Sequence, residues 1–295
     1  MLQLFVDDNQ PLGEGYEGCV LEGIPLGGDR YLANLGSILL AILAILVTLY
    51  LLFRSQRKPA AVGRREIQIF LIAYIITQIC EIFSVGGIPI GNSTRQGFSA
   101  VHVAAFAAMA WLLFLNALVG FQLLDDGTKL STALFIGSAL AVAIGTGYIA
   151  LDVAFSLSGF FDSTREPPYE AIALFVLYLL FPLLCFVAFF VLEAILVLRV
   201  LGEKRPMRYL ILAALSYIIA KLFQFVISTH ICNSTDGKID GALFETLFTL
   251  LAVAAVWQLW NEITEDDWQE AMPGSTYPGT NGSTHPGTTN GSTYT

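Results

Sequence analysis

The chain has 295 residues, 55% of them hydrophobic and only 13% charged, with a mean hydropathy of +0.67 and a formal net charge of −9. A soluble domain carries about 25% charged residues, so this composition, with its apolar runs of roughly 20 residues, belongs to the membrane class. The negative charge sits mostly at the two ends, over 7–22 and 262–270, and is no signal for nucleic acid; four cysteines without a C-x-x-C pair exclude a disulfide scaffold.

Residues 1–31 form a mixed, Gly-rich, acidic segment on the expected lumenal side. Met1 to Val6 is apolar, but Asp7 and Asp8 stop it short of a signal-peptide core. Gly13 to Gly18 matches G-x-G-x-x-G, yet lacks the preceding strand and following helix that phosphate binding needs. Seven apolar spans then read as helices over about 32–53, 67–85, 98–124, 130–155, 169–198, 209–229 and 241–260. Between the third and fourth, LVGFQLLDDGTKLS at 118–131 is a helix leaving the bilayer, turning within a few polar residues and re-entering. Pro182 predicts a kink in the fifth. No alternating strand pattern recurs, and backbone satisfaction in lipid then requires helices. The expected fold is an all-α membrane protein: a seven-transmembrane-helix bundle over 32–261, followed by a cytosolic tail over 262–295. From about 273 the tail is Gly-Ser-Thr repeats with almost no large aliphatic side chains, and is expected to be disordered.

Orientation follows from the basic residues. The loops after the first, third and fifth spans hold ten of the fifteen, including Arg64 and Arg65, the other side holds four, and Lys221 lies inside the sixth span. The positive-inside rule makes the N-terminus lumenal and the C-terminus cytosolic. The sequons at Asn92 and Asn233 then fall on the lumenal side and are candidate glycosylation sites in short loops. Cys19 and Cys232 share that oxidising side, where they either pair or remain two thiols; Cys80 and Cys185 read as packing residues.

Little in the chain suggests catalysis. Three histidines, none at ligand spacing, supply no metal site, and no Ser, His and Asp stand in a nucleophile context. No catalytic residue, cofactor, metal or small-molecule substrate is expected. Ionisable residues inside spans are functional candidates: Glu81, Asp152, Glu193 (beside Arg199), Glu245 and Lys221. An unpaired lysine at mid-bilayer costs about 3 kcal/mol, so Lys221 is expected to meet Glu245 or Glu81. That pairing reads either as an ion path or as a structural pair fixing helix packing. Small residues recur every four positions at Ala100, Ala104 and Ala108, and again at Gly137, Ala141 and Gly145. Such stripes pack helices internally or dock a partner's helix.

Three stretches resemble the fungal chitin synthase export chaperone family: LVGFQLLDDGTKLS at 118–131, AVGRREI at 61–67, and DGALF at 240–244 running through LLAV to WNEITEDD at 260–267. Ile231-Cys232 sits where that family has an Ile-Cys pair. Lys221 and Glu245 depart from the family pattern, which has uncharged residues there, and the Gly-Ser-Thr tail departs as well. The resemblance implies a non-catalytic, multi-pass chaperone of the endoplasmic reticulum membrane, needed for a chitin synthase client to fold and leave that compartment. The two small-residue stripes, Arg64 and Arg65, and the acidic exit with Asp266 and Asp267 become candidate client contacts. A seven-helix receptor shares this topology, but the third helix lacks an Asp/Glu-Arg-Tyr-type triplet and the seventh an Asn-Pro-x-x-Tyr-like sequence. A transporter using Lys221 would need inverted repeats, and none is visible.

Overall fold

The computed structural model describes residues 21–27, 30–32, 34–58, 61–85, 88, 90–121, 128–161, 172–202 and 204–265. A short antiparallel hairpin comes first, β1 (Ile24–Gly27) and β2 (Arg30–Leu32), with an irregular register between Pro25 and Gly27. It is a local exception to the all-α expectation. Seven helices follow, each long and apolar enough to cross a membrane: α1 (Leu35–Gln56), α2 (Arg64–Ser84), α3 (Asn92–Gly120), α4 (Lys129–Phe155), α5 (Ile172–Leu201), α6 (Arg205–Ser234) and α7 (Gly241–Glu265).

Local chemistry sets the helix ends. The Asn34 carboxamide oxygen accepts from the Ser37 backbone N–H and the Thr128 hydroxyl from that of Ser131, so each fills an orphan donor of a first turn. Gly63 and Gly202 take the left-handed conformation at the start of α2 and the end of α5. Two helices run further than their apolar patterns. Asn92 opens α3, and α6 extends to Ser234, so both sequons lie in terminal helical turns rather than in loops. Hydropathy loses a helix once its residues turn polar, although the backbone ladder continues for another turn.

Three π-helical turns interrupt the longer helices, at Val176–Leu180, Leu196–Leu201 and Phe223–Ile227. The first lies directly before Pro182, where the missing N–H and the ring would disturb a regular ladder. The proline expected to kink α5 is thus preceded by a shift in hydrogen bonding: the Phe181 N–H donates to the Val176 carbonyl.

α3 is the central element. It packs against α2, α4 and α5, while α7 packs against α6 and α1, and α1 also meets α2. The main core joins Phe70, Tyr74, Leu113, Phe186, Phe189 and Trp257 from α2, α3, α5 and α7. The outer face is apolar: Leu46 on α1, Val187 on α5 and Ile144 on α4 (71% exposed) point outward, while Glu66, Glu81, Gln78 and Thr146 are buried. This arrangement suits a hydrocarbon surround.

Polar contacts lock α1 to α7 at both ends. At one end the Asn34 amide donates to Asp240 Oδ1 at 2.6 Å, and burial raises the Asp240 carboxyl above the usual range. At the other, Trp257 Nε1 donates to Ser55 Oγ at 2.8 Å and Lys58 Nζ to the Asn261 carbonyl at 3.3 Å. That second end carries Arg54, Arg57, Lys58, Arg64, Arg65, Arg199, Lys204, Arg205 and Arg208, and is the basic end of the bundle.

Gly241 begins α7 against the π turn of α6. A Cβ there would overlap the Phe223 carbonyl oxygen and Ser228. Gly241→Ala is therefore expected to lower the melting temperature of the detergent-purified protein by several degrees. Gly137→Ala, whose added Cβ meets nothing within 4 Å, should leave it unchanged.

Candidate functional site: a buried polar cluster, an open groove and the family

A part-buried polar cluster joins α2, α5, α6 and α7 in the half of the bundle away from the basic end. Lys221 Nζ lies 3.0 Å from Glu245 Oε1 and donates to Gln224 Oε1 at 2.7 Å. It also sits over the rings of Phe106 and Tyr217, at 5.1 and 5.5 Å from their centroids. Gln224 falls within the π turn Phe223–Ile227, and its Nε2 donates to Tyr178 Oη at 3.4 Å. Glu81, the other candidate partner of Lys221, is held separately: its two oxygens accept from Thr246 Oγ1 at 2.7 Å and Gln78 Nε2 at 2.8 Å. Tyr74 Oη and Gln78 Oε1 are buried without a hydrogen-bond partner among the described residues.

The other intramembrane acids divide. Asp152 accepts from the backbone N–H groups of Ser158 and Phe161, so its carboxylate builds the turn after α4. Glu193 was expected to be neutralised by Arg199, and it is not. Glu193 is buried, its Oε2 has no partner among the described residues, and Arg199 is exposed. Six residues apart, the two side chains leave the helix on different faces, because only residues three, four or seven apart align.

The small-residue stripes also separate. Ala100, Ala104 and Ala108 are buried. They form the floor of an apolar groove of about 410 Å³ between α2, α3 and α4, walled by Ile76, Ile136, Leu140 and Ile144. Gly147 approaches Ala104 closely there, since a Cβ on it would lie 3.4 Å from that of Ala104. Gly137, Ala141 and Gly145 instead face outward on α4, with nothing within 4 Å of a Cβ placed on either glycine. Arg64 and Arg65 open α2 at the basic end. Asp266 and Asp267 lie outside the described residues, as do the 13–18 glycine motif and the 273–295 repeats. Cys232 is disulfide-bonded, Cys80 and Cys185 are free thiols, and Cys19 lies outside the described residues.

The sequence matches the chitin synthase export chaperone family over residues 3–273. The chain belongs to that family. It is 32% identical over 250 residues to a chitin synthase export chaperone of Cryptococcus neoformans var. neoformans serotype D, covering 84% of this chain and 68% of the relative. It is 32% identical over 227 residues to a chaperone of that name from Coccidioides immitis, covering 77% and 67%. The corresponding protein of Aspergillus oryzae is 28% identical over 227 residues, with 77% and 67% covered. Family and helices together describe a multi-pass membrane protein with a chaperone role.

Sequence reading missed two things here. The hydrogen-bonded setting of Glu81 depends on Thr246, 165 residues away. The pocket around Glu193 depends on helix ends drawn from four parts of the chain. Neither leaves a local signal.

Lys221→Met strands the Glu245 carboxylate, which keeps only the Thr249 hydroxyl at 3.3 Å. A loss on the order of 3 kcal/mol is expected, as for other half-removed buried pairs. The double variant Lys221→Met/Glu245→Gln should recover most of it. Thermal unfolding of the purified variants reads this directly, and an unchanged K221M would show that the pair does not hold α6 to α7.

Proposed function

We propose that this chain is a chaperone of the endoplasmic reticulum membrane that binds a chitin synthase client, shields the client's membrane helices while they assemble, and releases it for export. It acts by binding and carries out no covalent chemistry. Family membership over nearly the whole chain carries this reading, since the curated relatives bear the name chitin synthase export chaperone. The outward stripe Gly137, Ala141 and Gly145 is the client-facing surface in this proposal. In lipid, helix association draws on close packing and not on a hydrophobic drive, and small residues let two backbones approach. The apolar groove floored by Ala100, Ala104 and Ala108 adjoins it. Arg64 and Arg65, with Asp266 and Asp267, are the proposed cytosolic contacts. Lys221 and Glu245 are assigned a structural role, because every polar contact of the lysine is made within the bundle.

The N-terminus is proposed to be lumenal and the tail cytosolic, supported by the concentration of basic residues at one end. Cys232 lies at the opposite end, and Cys19 is its proposed partner; with Cys80 and Cys185 free, it is the remaining cysteine of the chain. Asn92 and Asn233 lie on the same side as candidate glycan acceptors. A Cys19→Ser variant should lose the mobility shift that the wild type shows between reducing and non-reducing gels, and endoglycosidase treatment should alter only species carrying Asn92 or Asn233. Modification at Asn281 or Asn290 instead would reverse the topology.

Deleting the gene in its host should retain a tagged chitin synthase in the reticulum and lower cell-wall chitin. Reintroduced wild type should restore delivery, whereas Gly137→Leu/Gly145→Leu, which folds into open space, should restore about a tenth of it or less. Normal delivery in the deletion strain, with no paralogue present, sinks the chaperone reading. Full rescue by the double leucine variant removes α4 as the client face.

A further inference from the structure

A cavity of about 440 Å³ lies at the basic end, enclosed by the start of α2 and the ends of α3, α5 and α7. Its walls are mostly apolar, with Phe189, Leu196, Leu259 and Trp260 prominent among them. The carboxyl of Glu193 enters it, only 7% exposed, and Oε2 has no hydrogen-bond partner among the described residues. Glu193 stands eight residues before the last residue of α5, about 12 Å along the helix. Gly120 of α3 keeps the approach open: a Cβ there would meet Leu196 at 2.8 Å and lie 3.9 Å from Glu193 Oε1.

A carboxyl held in this way is shielded from bulk solvent, and its buried Oε2 meets no donor among the described residues, which is costly in a membrane interior. No cation among the described residues meets it: Arg199 is exposed and no cavity-lining residue is basic. In the sequence, 59–60, 122–127, 203 and 266–295 contain no lysine or arginine. We infer that the cavity receives a lysine or arginine side chain from the basic end of a client membrane helix, with its charged head against Glu193 and its aliphatic stem along the apolar walls. Several observations select that occupant. The walls suit a hydrocarbon stem. Membrane helices carry their basic residues at the cytosolic end, which places a client's cation near this depth. A zwitterionic lipid headgroup would bring a phosphate into a cavity that offers it no cation. The inference rests on the client-binding reading above and adds where the client's charge is held.

The test uses the full-length protein co-expressed with a tagged chitin synthase. Glu193→Gln preserves shape and removes the charge; it should lower the synthase co-purified at least fivefold without lowering the melting temperature. A photo-crosslinking residue at Val200, on the cavity rim and 63% exposed, in the otherwise native chain should label a synthase segment containing lysine or arginine. Wild-type recovery by E193Q overturns the inference, as does crosslinking to lipid alone. If the wild-type chain itself captures no synthase, the chaperone reading fails first; if the wild type captures it and E193Q captures as much, only the cavity assignment falls.

Discussion

A hydrocarbon surround leaves a polar side chain few options: it must find a partner inside the bundle, give up any charge, or remain expensively bare. The rest of this structure depends on that constraint. Lys221 is the clearest case. Near the middle of α6, it turns to Glu245 of α7 and Gln224 of its own helix, and rests over two aromatic rings. The contact joins α6 and α7 along an extensive interface. Glu81 does the same for α2 and α7 through Thr246. Together with the Trp257–Ser55 and Asn34–Asp240 bonds to α1, these contacts make α7 the element on which polar bonds from three other helices converge.

The π turns belong to the same account. Each adds a residue to a helical turn and locally breaks the regular ladder, which is worth its energetic cost only where a side chain or a close approach gains by it. One precedes Pro182, one contains Gln224 and faces Gly241, and one follows Glu193. Two of the three therefore adjoin ionisable residues, Lys221 part-buried and Glu193 buried. The fates of those residues differ. Lys221 is fully engaged within the chain, whereas Glu193 opens into a cavity with an oxygen unused. A chaperone must leave some of its binding capacity unspent, and an unpaired group at the helix ends suits that need better than a satisfied one at the centre.

The α3 and α4 stripes show how one sequence pattern serves two ends. Both repeat small residues every four positions. On α3 the stripe faces inward because α3 has neighbours on three sides; on α4 it faces outward because α4 lies at the edge of the bundle, against α3 alone over most of its length. Spacing places residues on one face of a helix but cannot say which way that face points.

The sequence by itself determined the class, the seven spans, the crowding of basic residues into alternate loops and the family. These rest on composition, on run length against bilayer thickness, and on local motifs, all readable along one dimension. It also narrowed the partners of Lys221 to two acids. Tertiary structure chose between them, exposed one stripe and buried the other, and brought four helix ends around the Glu193 carboxyl. Each of those outcomes depends on the rotation of a helix about its own axis and on which neighbouring helices pack against it. Nearly uniform hydrophobicity around these helices leaves that rotation unspecified until the neighbouring helices pack.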